Sequence, residues 1–202
     1  MGTSRTIIAF PLPLLLLALL LLAFAATAEA RVVPELFGED EFQRTCNQVH
    51  FRKMCQSLTR LPRVTTPREL LLASMRVAAE KAREAKSRVD EFAARNHEGR
   101  PMESILGACS NGYGNVVQTL EEARKIVATR AAAGTQAQAD DMNTKLSAAV
   151  TSASDCDNAF ADFPAIRSPF LPMQRNVYRL VDNVLNIFVV VNQPEHAHKH
   201  GH

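Results

Sequence analysis

The chain has 202 residues, of which 47% are apolar, 22% charged and 6% aromatic, and its formal net charge is +2. That length suits one ordinary domain. So even a charge excludes a dedicated nucleic-acid binder, which concentrates a basic excess, and so apolar a chain excludes disorder throughout.

The first element is apolar. Arg5 gives a short positive start, Leu14 to Ala26 is an unbroken Leu-rich run after Pro11 and Pro13, and Ala28-Glu29-Ala30 is a small-x-small sequence. Together these predict a secretory signal peptide over 1–30, cleaved after Ala30 or Ala28. An uncleaved anchor is the alternative, because the uncharged stretch Thr6–Ala28 is long enough to span a bilayer. Cleavage leaves 22 basic and 20 acidic residues and no second apolar run of spanning length, which predicts a soluble, secreted product. No Asn-x-Ser/Thr site occurs, so N-glycans are not expected. Secretion makes the four Cys candidates for disulfides.

Residues 31–62 read as an N-terminal helical hairpin, with short helical pieces at Glu39–Val49 and Phe51–Leu61. Residues 63–193 read as four long helices. Thr66-Pro67-Arg68-Glu69 opens the first: Thr66 caps, Pro67 takes the first helical position and Glu69 completes a capping box. Its stripe is Leu71, Met75, Ala78, Ala82, Ala85, Val89 and Phe92, in alternating steps of four and three. It ends within Asn96–Pro101. The second helix starts near Pro101, with Leu106, Cys109, Tyr113, Val116, Leu120, Ala123 and Val127 inward. Gly107, Gly112 and Gly114 weaken its first half unless they admit a neighbouring helix. After a break at Ala131–Gly134, the third helix runs from about Thr135 to Phe160 on Met142, Leu146, Ala149, Ala153, Cys156 and Phe160. Asp162–Pro172, with three prolines, is a loop, and a fourth helix continues to about Val191 on Val177, Leu180, Val184, Ile187 and Val191. The short connectors make this an all-α, up-down-up-down bundle.

That architecture constrains the Cys pairing. Cys109 and Cys156 each lie about 23 residues from the 132–133 turn, so antiparallel helices bring them to one height, both on inward stripes. Cys46 and Cys55 remain, with eight residues between them, and a bond there would staple two pieces too short to hold alone. Free thiols or a metal site are the alternative, but this spacing fits no common zinc pattern.

Catalytic signals are missing. Before the tail the only His are His50 and His97, and there is no G-x-S-x-G, H-E-x-x-H or Gly-rich phosphate loop. Small inward residues leave little room for a cofactor, and none is expected. The tail 194–202 alternates His196, His198, His200 and His202, which can chelate Cu or Zn on a flexible chain. A loose tail without that role is the plainer reading. A metal-chelating wall protein using this tail and a lipid-carrying bundle are the rival functions, and the small-residue stripes argue against a carrier's cavity.

The arrangement is similar to the plant invertase and pectin methylesterase inhibitor family. The matching residues are Cys46-x8-Cys55, Leu106-x-x-Cys109-x3-Tyr113, Leu146-Ser147-Ala148-Ala149, Cys156-Asp157-x-x-Phe160 and Asn183-x-Leu185. The resemblance implies a four-helix bundle with an N-terminal hairpin, bridges Cys46–Cys55 and Cys109–Cys156, a cell-wall location, and a target that is either a pectin methylesterase or an acid invertase. Leu146–Phe160 looks more like the methylesterase branch, and Ser168-Pro169-Phe170 more like the invertase branch. The Pro-Lys-Phe motif of invertase inhibitors is absent from the connector Ala131-Ala-Ala-Gly-Thr-Gln, which favours the methylesterase. The expected mode is a monomer that occludes the target's cleft reversibly, one to one. Candidate contacts are the outward residues Gln118, Glu122, Lys125, Thr144, Thr151 and Asp155. Six His would add positive charge as pH falls through about 6.5.

Overall fold

The computed structural model describes residues 38–96, 99–129 and 135–192. The expected signal peptide, the 131–134 break, His97 and the His-rich tail lie outside the described residues. The chain divides into two units, Met1–Leu36 and Phe37–His202, and every described residue belongs to the second.

Six helices and no strand occur among the described residues: α1 (Gly38–Gln48), α2 (Arg52–Leu58), α3 (Pro67–Arg95), α4 (Arg100–Thr129), α5 (Gln136–Ala161) and α6 (Leu171–Asn192). In the bundle, α3 packs on α4, α4 on α5, α5 on α6, and α6 back on α3. The four helices therefore form an antiparallel ring with the α4–α5 side opposite the α3–α6 side. The α1–α2 hairpin lies on α3 and α6.

Local chemistry marks the ends of α3 and the start of α5. At α3, the Thr66 hydroxyl accepts from the Glu69 N–H at 3.2 Å while the Glu69 carboxylate accepts from the Thr66 N–H at 3.0 Å. The same carboxylate accepts from the Thr65 hydroxyl and N–H, which hold its pKa below the usual value. Asn96, in extended backbone, ends the helix. A second capping box opens α5, between Thr135 and Gln138. The last loop is shorter than expected, because Pro172 sits in the first turn of α6, where a missing N–H costs no helical bond. The hairpin's second piece is also shorter, ending at Leu58 rather than Leu61. Arg68 joins the ends of two helices by donating to the Val127 carbonyl at 2.5 Å and the Ala128 carbonyl at 3.3 Å, a cation placed on the negative end of α4.

The predicted stripes form the core. Leu71, Met75, Ala78, Ala82, Ala85 and Val89 are buried on α3, as are all six predicted positions of α5. Phe92, Val127 and Val191, at the ends of their stripes, are only half-buried, since the ends of a bundle have fewer covering neighbours. One end is closed by aromatic packing instead: Phe170 meets Phe92 edge-on at 5.2 Å and Phe160 at 6.4 Å. Ser168 holds that corner, accepting from the Phe170 N–H and donating to buried Gln174 at 2.7 Å.

Candidate functional site

Both disulfides are present. Cys46–Cys55 joins α1 to α2 with Cα atoms 5.4 Å apart, and Cys109–Cys156 joins α4 to α5 with Cα atoms 4.1 Å apart. The α4–α5 seam is close for a second reason. A Cβ on Gly112 would fall 2.6 Å from the Ser152 carbonyl and 3.0 Å from Asp155 Cβ, so only glycine lets the two backbones meet there. Gly107 has open space around it and Gly114 faces only Lys86 at ordinary contact distance. Of the three glycines, one serves the packing. Gln174 reaches the same seam from α6, donating to Cys156 Sγ at 3.1 Å.

A fixed pair of helices presents a fixed outer face. Gln118, Glu122 and Lys125 are exposed along one strip of α4 at helical spacing, and Thr144 and Thr151 are exposed on α5. The face of α5 is low and locally anchored. The Thr144 hydroxyl donates to the Asp140 carbonyl at 2.9 Å, Ser147 to Asn143 at 2.8 Å and Thr151 to Ser147 at 3.2 Å. On α4, Gln118 donates to Glu122 at 3.0 Å. Side chains already held lose little freedom when a partner covers them.

Asp155 departs from this pattern. Although its helical position points outward, the close approach at Gly112 leaves it half-buried beside α4. Burial pushes its carboxyl above the ordinary value. Neighbouring Asp157 is raised for the same reason, with Arg175 opposing.

Sequence reasoning did not find the contact that seats the hairpin. His50, between α1 and α2, bonds through Nδ1 to the Asp182 carboxylate of α6 at 2.9 Å, and Asn186 donates to the same carboxylate at 3.1 Å. Arg179 lies over the Phe51 ring at 5.6 Å. His50 and Asp182 are 132 residues apart, so no spacing announces the pair, and only the hairpin's position on α6 brings them together.

Concavities lie at the surface. An open groove of about 620 Å³ runs beside Asp90, Asn96, Gly99, Glu103, Gly107 and Ser110. Within it Asp90 accepts from Lys86 and Ser110; despite the opposing effect of burial, these bonds lower its pKa. Among the described residues, no group of three or more His, Cys, Asp or Glu is placed to hold a metal, and no helix is long and apolar enough to cross a membrane.

These observations define a disulfide-bridged four-helix bundle carrying a helical hairpin. The chain belongs to the plant invertase/pectin methylesterase inhibitor family, whose model matches residues 40–187. That is a family of inhibitors rather than enzymes. Two solved structures are similar. A mutant form of a pectin methylesterase inhibitor from Arabidopsis is 16% identical with a TM-score of 0.59, over 73% of this chain and 95% of that one. A pectin methylesterase inhibitor from Arabidopsis thaliana is 16% identical with a TM-score of 0.54, over 77% of this chain and 98% of that one. At that identity the likeness speaks for the fold. No curated protein sequence matches the chain.

Proposed function

We propose that the protein is a secreted inhibitor of a pectin methylesterase, forming a reversible one-to-one complex in which the outer faces of α4 and α5 cover the enzyme's substrate cleft. The observation that carries this reading is the low, locally hydrogen-bonded face of α5, locked to α4 by Cys109–Cys156 and by the contact at Gly112. The short threonine and serine side chains of the α5 face let it approach the rim of a cleft closely, and a face already held in place binds without first being ordered. The choice of esterase over invertase rests on the Leu146–Phe160 block, which forms most of α5, and on the missing Pro-Lys-Phe. Export follows from the leader pattern over 1–30.

The test is to titrate the oxidised protein, without its first 30 residues, into a pectin methylesterase and, separately, an acid invertase at pH 5 and pH 7. Esterase activity should fall to an end point at equimolar inhibitor, with invertase unaffected. Inhibition of invertase alone would assign the other branch, and inhibition of neither would overturn the proposal.

A further inference from the structure

Charge is unevenly placed along the chain. Between Glu41 and Glu69 stand Arg44, Arg52, Lys53, Arg60, Arg63 and Arg68, and not one acidic residue, which leaves 17 basic against all 21 acidic residues elsewhere. Arg52 and Lys53 begin α2, while Arg60 and Arg63 follow it, and all four are exposed. None of the four has a carboxylate partner among the described residues. The contrast with α3 is plain: Arg76 pairs with Glu80, Lys81 with Glu84, Lys86 with Asp90, and Arg83 with Glu121 across to α4.

Arg63 adds an independent observation. The Val64 N–H donates to the Leu61 carbonyl at 3.2 Å, closing a turn with Pro62 second and Arg63 third. Arg63 has a φ of 67°, the one positive φ at a non-glycine among the described residues. Proline followed by a left-handed residue is the pattern of a type II turn, whose third position favours Gly or Asn. An arginine there is strained, and strain of this kind collects where a side chain is needed.

We propose that the hairpin and its following turn bind a carboxylate-bearing polysaccharide, a polyuronate, through Arg52, Lys53, Arg60 and Arg63. Guanidinium forks match carboxylates two bonds at a time, and four exposed cations within residues 52–63, unpaired among the described residues, suit a polymer with an anion on each sugar. Other polyanions fit less well. Single-stranded nucleic acid needs stacking platforms, and the aromatic ring of this patch, Phe51, lies beneath Arg179. A membrane surface needs apolar anchors beside the basic residues, whereas among the described residues the exposed large apolar ones are Phe163, Leu171 and Val189, none of them in α1, α2 or the turn that follows. The choice of polymer rests on the inhibitor reading, since an esterase acting on pectin converts neutral methyl esters into carboxylates. The hairpin sits on α3 and α6, opposite the α4–α5 face, so polymer and enzyme can be held together. The protein would then collect where de-esterification has already taken place.

The experiment needs no esterase, so its failure leaves the inhibitor reading intact. Binding of the oxidised protein without its first 30 residues is measured by calorimetry against polygalacturonate, and against highly methyl-esterified pectin of the same length. Polygalacturonate should bind about tenfold or more tighter, and weaken as salt is raised. The triple variant R52Q/K53Q/R60Q should lose about tenfold in affinity. The single variant R63G should bind more weakly while its urea unfolding midpoint rises, a combination that a purely structural role for Arg63 does not give; it also decides the matter if the triple variant fails to fold. Equal binding of the esterified polymer would overturn the proposal. So would binding of phosphatidylserine vesicles or duplex DNA as tight as that of polygalacturonate, or unchanged affinity in the folded variants.

Discussion

Gly112 and Asp155 meet across the α4–α5 seam, and each makes a separate prediction. Gly112→Ala inserts a methyl where backbone already stands. It should destabilise the protein by about 1–3 kcal/mol, the usual range for overpacking. Gly107→Ala, in open space on the same helix, should stabilise by up to about 1 kcal/mol. Urea denaturation of the two variants checks both signs. For Asp155 the sign follows from the raised pKa. A group whose pKa is higher folded than unfolded favours the folded state most below its ordinary value of 3.8, and loses that contribution as pH rises through the raised value. Asp155→Asn should therefore raise stability at pH 7, with the gain disappearing near pH 3. Thermal melts at the two pH values read this directly.

At the scale of elements, the bridges act on different parts. The loop-entropy relation gives about 3 kcal/mol for the short loop closed by Cys46–Cys55 and about 4 kcal/mol for the longer one closed by Cys109–Cys156. C109S/C156S should lower global stability by about that larger amount in urea. C46S/C55S should chiefly free the hairpin, so that amide exchange rises in α1 and α2 while α4 and α5 stay protected. Periodicity made the four long helices and the Cys109–Cys156 bridge legible, because small-residue stripes at steps of three and four have one buried solution and the turn sets both of those Cys at one height, whereas Cys46–Cys55 was simply the pair that remained. The polar contacts that seat the hairpin were not legible. His50–Asp182 and Ser168–Gln174 depend on which face of one element meets another, and composition carries no trace of that. Thr135-x-x-Gln138 was a readable capping box that marks the start of α5.

For the whole molecule, the residues carrying the family resemblance explain why fold is easier to read than target. Most of them, Leu106, Cys109, Tyr113, Leu146, Ala149, Cys156, Phe160 and Asn183 among them, are buried, while Ser147 and Ala148 are exposed and Asp157 and Leu185 half-buried. They specify packing, and a packed interior is compatible with more than one outer face. The residues proposed to meet a partner are surface residues, free to be almost any polar type, so sequence picks out Gln118 and Thr144 only as outward positions of α4 and α5 and not by their chemistry. Asp155 is half-buried where an outward, exposed position was expected: helical geometry sets its direction, but the neighbour's missing side chain brings α4 close enough to cover part of it.

The most direct measurement is therefore made on that face. Q118W/T144W puts two bulky rings on exposed positions of α4 and α5, and S57W puts one on exposed Ser57 of the hairpin. Inhibition constants of both variants against the same pectin methylesterase, with unfolding midpoints as the check on folding, separate the surfaces. The account predicts that Q118W/T144W loses about tenfold or more in inhibition at an unchanged midpoint, while S57W inhibits like the unaltered protein. Full inhibition by Q118W/T144W, or its loss in S57W, would contradict it.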